Sequence, residues 1–119
     1  MSQPRLIISQ EQGFTLVRFG TPVLDNAGVD AIAEQLTRLP DEAPQPAIVI
    51  DFSPVRFLAS RMLGVLVDTA RKAEAAGGRV VLCGLREDVG KVFKITRLDR
   101  VLAFAETVDN ARDLFQAPE

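Results

Sequence analysis

Two short runs, AIVIDF (47–52) and RVVLCGL (79–85), are nearly all apolar. A strand of that kind has no polar face to offer water, so it belongs inside a sheet covered on both sides. Between the runs, Leu63, Leu66, Val67, Ala70 and Ala73 recur at helical spacing from Arg61 onward. The pattern stops at AAGG, where Gly77 or Gly78 suits a left-handed helix end. Strand, helix and strand in that order close as a parallel pair with a crossover helix. This unit commits the chain to an α/β architecture.

The flanking segments extend it. RLIIS (5–9) and FTLVRF (14–19) are rich in β-branched and aromatic residues and are separated by QEQG, with Gly13 as the turn residue. FTLVRF is partly apolar on both faces, which places it inside the sheet. A helix is expected at 28–39 from Val29, Ile32, Ala33, Leu36 and Leu39, with Asp25 or Asn26 as its cap. The prolines of PDEAPQP (40–46) end it in a surface loop. EDVGKVFKI (87–95) reads as a helix with Val89, Val92 and Phe93 inward, weakened by Gly90. RVLAFA (100–105) reads as a last strand. TVDNARDLFQ (107–116) reads as a helix capped by Thr107, with Val108, Ala111, Leu114 and Phe115 on one face. The order is ββαβαβαβα: one domain over 1–119, with a mixed, mostly parallel sheet and helices.

Composition narrows function. The chain is 47% hydrophobic and 25% charged, enough to bury a core. A net charge of -2 argues against binding nucleic acid. The basic positions Arg86, Lys91, Lys94, Arg97 and Arg100 are diluted by Glu87, Asp88 and Asp99, and read as a solvated face. The single cysteine, Cys83, rules out a disulfide framework or a multi-cysteine metal site, and its apolar setting makes it a buried thiol. With no histidine, Ser-His and Cys-His nucleophile pairs cannot form. There is no phosphate-cradling glycine loop, and Asp25 with Asp51 makes a poor metal site. No enzyme, cofactor or metal is expected. The N-terminal residues lack a signal-type apolar stretch, and no window approaches the ~18 apolar residues of a membrane helix. A cytoplasmic protein with no direct membrane insertion is expected.

The stretch DFSPVRFLASRMLGVL (51–66) joins a strand to a helix through a lone serine, Ser60. It resembles D-[LF]-S-x-V-x-F-[LM]-D-S-S-G-L-G-[VA]-L, the signature of the STAS family, the anti-sigma-factor antagonists. Asp51, Ser53, Val55, Phe57, Ser60, Leu63 and Gly64 fall on matching positions without a gap. The second half of the chain is similar too, and VLDNAG (23–28) resembles the family's ELD loop, with Asp25 on the matching acid. Three of the four DSSG positions differ: Ala59, Arg61 and Met62 replace Asp, Ser and Gly, and only the acceptor Ser60 is kept. The resemblance implies a non-enzymatic regulator of transcription. It would dock on an anti-sigma factor that is also a serine kinase, be phosphorylated at Ser60, and be restored by a serine phosphatase. The implied partner face comprises Asp25, Asn26, Phe57, Ala59, Ser60, Arg61 and Met62. A second reading is a STAS subunit that regulates or scaffolds a membrane transporter of the lipid-transport ATPase type, without phosphorylation.

The residues themselves leave alternatives open. Ser60 can be a helix cap or a phosphoacceptor. Asp25 can cap the first helix or flank Ser60. Arg61 can pair with a phosphate or stand as a solvated charge. Met62 can enter the core or form an adaptable contact. Val23, Leu24, Phe57 and Leu58 can be partner anchors or packing beneath the loops.

Overall fold

A computed structural model describes residues 6–116. Its elements are β1 (Leu6–Glu11), β2 (Phe14–Phe19), β3 (Val23–Leu24), α1 (Asn26–Arg38), β4 (Ala47–Asp51), β5 (Phe57–Leu58), α2 (Ser60–Ala75), β6 (Arg79–Cys83), α3 (Glu87–Ile95), β7 (Ala103–Ala105) and α4 (Val108–Gln116). The expected start of the first strand at Arg5 lies outside the described residues.

The main sheet runs β1-β2-β4-β6-β7, antiparallel at β1–β2 and parallel elsewhere. The apolar run AIVIDF is the central strand, with Val49 and Ile50 fully buried on opposite faces. Alternation along the strands sorts the core into two layers. Val17, Phe19, Ile48, Ile50, Val80 and Leu82 face α1, α2 and α3 in the larger layer. Leu16, Val49, Val81 and Cys83 face the other way and pack with Ala111 and Phe115 of α4. A chain of edge-to-face rings, Phe19–Phe52–Phe93–Phe104, ties the sheet to α3, with centroids 5.0, 6.1 and 5.4 Å apart.

Helix ends follow local chemistry. Thr107 Oγ1 accepts from the Asn110 amide at 3.1 Å and caps α4. Gly77 takes φ +81 after α2, and the Gly78 amide returns to the Ala73 carbonyl at 2.8 Å, which identifies Gly77 as the left-handed position.

Several details differ from expectation; α1 starts at Asn26 rather than Gly28, and α2 at Ser60 rather than Arg61. The last strand is Ala103–Ala105 only, because Leu98–Arg100 forms a 3-10 turn. Leu39–Glu42 is another such turn, with Pro40 buried at its start, so the proline-rich loop is partly packed. Leu114 is 41% exposed, so the inner face of α4 is Ala111 with half-buried Val108 and Phe115. The paired two-residue strands β3 and β5 have no expected counterpart. A two-residue ladder is too short to leave a periodic signal.

Candidate functional site: the surface joining β3, β5 and the start of α2

Two loops leave the sheet after β2 and after β4, and β3 and β5 join them as a parallel pair. Val23 lies opposite Phe57, and Leu24 opposite Leu58. The Arg56 amide donates to the Pro22 carbonyl at 2.7 Å, and the Ala59 amide to the Leu24 carbonyl at 2.8 Å. Because strand side chains alternate, this ladder splits its four apolar residues. Leu24 and Leu58 enter the core, while Val23 and Phe57 stand 44% and 54% exposed. The packing reading holds for the first pair and fails for the second.

The ladder sets Asp25 beside the start of α2. Asp25 has extended backbone (φ -90°, ψ 175°) and caps α1, its Oδ1 accepting from the Gly28 amide at 3.3 Å. Asn26 is the first helical residue. Both are exposed, so Asp25 fills its capping role and also lies on the shared surface.

At α2 the structure corrects the cap reading of Ser60. The N-cap is Ala59, with extended backbone and a carbonyl that accepts from the Met62 amide at 2.9 Å. Ser60 is the first helical residue, exposed, and among the described residues its hydroxyl makes no hydrogen bond. Ala59 has no side-chain oxygen, so no side chain caps the helix. The free amides of the first turn and the helix dipole therefore create a positive potential beside the Ser60 hydroxyl.

Met62 was expected on the partner face and is not there. It is fully buried in the larger core layer. The inward face of α2 carries Leu63, Leu66, Ala70 and Ala73 as expected, and Met62 and Thr69, both 0% exposed, widen it. Ala59 is 9% exposed and contributes mainly backbone.

Arg61 is on the surface. Its Nη2 bonds Asp30 Oδ1 of α1 at 2.7 Å, with the two side chains 55% and 82% exposed. Asp30 has no signal in the sequence, because its partner is 31 residues away. Gly64 was missed as a site residue. It is exposed one turn below Ser60, and a Cβ there would meet nothing within 4 Å. Its lack of a side chain keeps the surface beside Ser60 open.

Asp51, which opens the matching stretch, is a structural clamp. It is 5% exposed, with Oδ1 accepting from the Ser53 amide and Oδ2 from Arg18 Nε, both at 2.9 Å. Burial pushes its carboxyl up, but the Ser53 amide and the Arg18 guanidinium outweigh that and hold it below the ordinary 3.8. Gly84 lies against it with φ +72, and a Cβ there would stand 2.7 Å from Asp51 Oδ1. The clamp fixes where the chain leaves β4 and hence where Phe57–Ser60 is presented. Both Asp51 oxygens are engaged in this clamp. Among the described residues no cluster of three or more His, Cys, Asp or Glu could hold a metal. Cys83 is buried and pushed up to about 12, first by burial and then by the Asp51 charge, so its thiol is unreactive. Among the described residues no helix is long and apolar enough to cross a membrane.

Comparison with known proteins agrees with this fold. A STAS domain protein of Planctomyces limnophilus superimposes with a TM-score of 0.88 at 21% identity, covering 94% of this chain and 98% of that one. The anti-sigma factor antagonist SpoIIAA of Bacillus, in its unphosphorylated form, superimposes with a TM-score of 0.78 at 22% identity, covering 96% and 98%. Its phosphorylated form has also been solved, and matches with a TM-score of 0.69 at 22% identity, covering 92% and 97%. A Thermotoga neapolitana protein named as a candidate anti-sigma factor antagonist is 32% identical over 69 residues, 58% of this chain. The match spans 61% of that relative's length. The STAS domain profile matches residues 5–111, and the chain belongs to the STAS domain family.

Proposed function

We propose that this chain is an anti-sigma-factor antagonist: a non-enzymatic module that docks on an anti-sigma factor with serine-kinase activity and is released by phosphorylation of Ser60. The observation that carries the reading is the Ser60 hydroxyl, exposed and unbonded among the described residues at the uncapped start of α2, on the surface shared with the Asp25 loop. A serine that caps its own helix would have its oxygen engaged. This one is free to accept a phosphoryl group.

The mechanism is local. A phosphate brings about -1.5 to -2 charges and three acceptor oxygens. The unmet amides of α2 stabilise it without unfolding the helix. The added charge and bulk sit beside Val23 and Phe57, the exposed apolar pair that supplies the anchor of the docking face. Desolvating a dianion against an apolar contact opposes binding. A phosphatase reverses the change. Family membership and the two solved forms of SpoIIAA, phosphorylated and unphosphorylated, support the reading.

The test is affinity purification of the tagged chain from its native cells, with mass spectrometry of bound partners and of the Ser60 peptide. Recovery of a serine kinase of the anti-sigma type, with phosphate on Ser60, is the expected result. Recovery of transporter subunits on unmodified Ser60 overturns it in favour of a docking subunit.

A further inference from the structure

A second concave site lies away from the Ser60 surface, between α3 and β7. It is a hollow of about 510 Å³, walled by Phe93, Phe104 and Gly90 and rimmed by Lys94, Asp99 and Glu106. Phe93 and Phe104 meet edge to face with centroids 5.4 Å apart. The volume and the mostly apolar lining are those of a small-molecule pocket.

Gly90 adds an independent observation. It lies in the interior of α3, where glycine is less favourable than alanine. Its φ is not in the left-handed region, and a Cβ would meet no atom within 4 Å. Neither backbone conformation nor internal packing requires glycine at this position. Gly90 lines the hollow, so a side chain there would take up space at its wall. An occupant of the hollow supplies the missing reason.

The rim states the charge of that occupant. Two carboxylates, Asp99 and Glu106, and one lysine, Lys94, line the hollow, and among the described residues none of the three side chains is in an ion pair or hydrogen bond. An ammonium group satisfies the carboxylates and is also attracted to aromatic rings. We propose that the α3–β7 hollow binds a small hydrophobic amine, its apolar body against Phe93 and Phe104 and its ammonium group at Asp99 and Glu106. The proposal does not depend on the Ser60 switch.

The experiment is an amide-resolved NMR titration of the full chain with phenethylamine, and in parallel with hydrocinnamate, which carries a similar body and the opposite charge. The expected result is a saturable shift of the Gly90, Phe93 and Phe104 amides with phenethylamine, and binding of hydrocinnamate weaker by about tenfold or more. Asp99→Asn with Glu106→Gln removes the preference. Gly90→Leu fills the hollow while improving helix propensity, so the variant folds, melts no lower than the parent and no longer binds. No saturable shift with phenethylamine, equal binding of the two probes, or retained binding in a folded Gly90→Leu variant overturns the proposal.

Discussion

The Ala59 amide donates to the Leu24 carbonyl across 2.8 Å, joining residues 35 positions apart at the start of α2. This bond and the Val23–Phe57 pair bring the Asp25 loop to Ser60. Ser60 is therefore presented on a surface built from two loops rather than on an isolated helix end.

Ser60→Asp places an acid at the first turn of α2, where the helix dipole favours it. The expected change in folding stability is within about 0.5 kcal/mol. Partner binding weakens by about tenfold or more, whereas Ser60→Ala binds and cannot be switched. Urea denaturation and calorimetric titration with the purified partner check both statements. A large loss of stability in the Asp variant contradicts the surface placement.

Ala59 occupies a cap position that favours Asp, Ser or Thr. Ala59→Asp supplies the absent acceptor and raises stability by about 1 kcal/mol. For a domain of this size the melting midpoint rises by about 3–6 °C. An unchanged midpoint would show that the α2 amides already have another acceptor.

Asp51 predicts an acid-sensitive fold. Its folded carboxyl lies below the unfolded 3.8, so the clamp contributes fully above that value. The contribution is lost as pH falls below 3.8 through the folded value. Asp51→Asn removes this part of the pH dependence and lowers stability at neutral pH by about 1 kcal/mol, a cost reduced because Arg18 is 44% exposed and stays hydrated. Chemical denaturation of both proteins at a series of pH values reads the difference between the curves, which narrows toward acid.

Met62→Ala distinguishes core from contact. A fully buried methionine leaves a cavity when truncated, at a cost of about 2–4 kcal/mol. A surface contact residue would change stability by less than about 0.5 kcal/mol. The denaturation midpoint separates the two.

Much of the fold was legible because its signals are local. The apolar runs became β4 and β6, the 3.6-residue pattern became α1 to α4, and Gly77 and Thr107 act where their chemistry suggested. The candidate surface was legible in part: Asp25 caps α1, as one of its two readings had it, and Phe57 is exposed. Of the two readings of Met62 the core one holds: it lies four residues before Leu66 on the buried face, and its place on the partner face came only from the resemblance, which has a glycine there.

By itself the sequence determined the α/β order, the central apolar strands, the helix ends at Gly77 and Thr107 and the resemblance around Ser60, since each depends on residues close together in the chain. Only the tertiary structure decided that Ala59 rather than Ser60 is the cap position, that Arg61 pairs with Asp30, that Asp51 is a clamp, and that Val23 and Phe57 form one exposed pair. The last three depend on contacts between distant segments. The cap depends on the backbone angle of Ala59, set where its amide is held by the Leu24 carbonyl, and no local pattern encodes that bond.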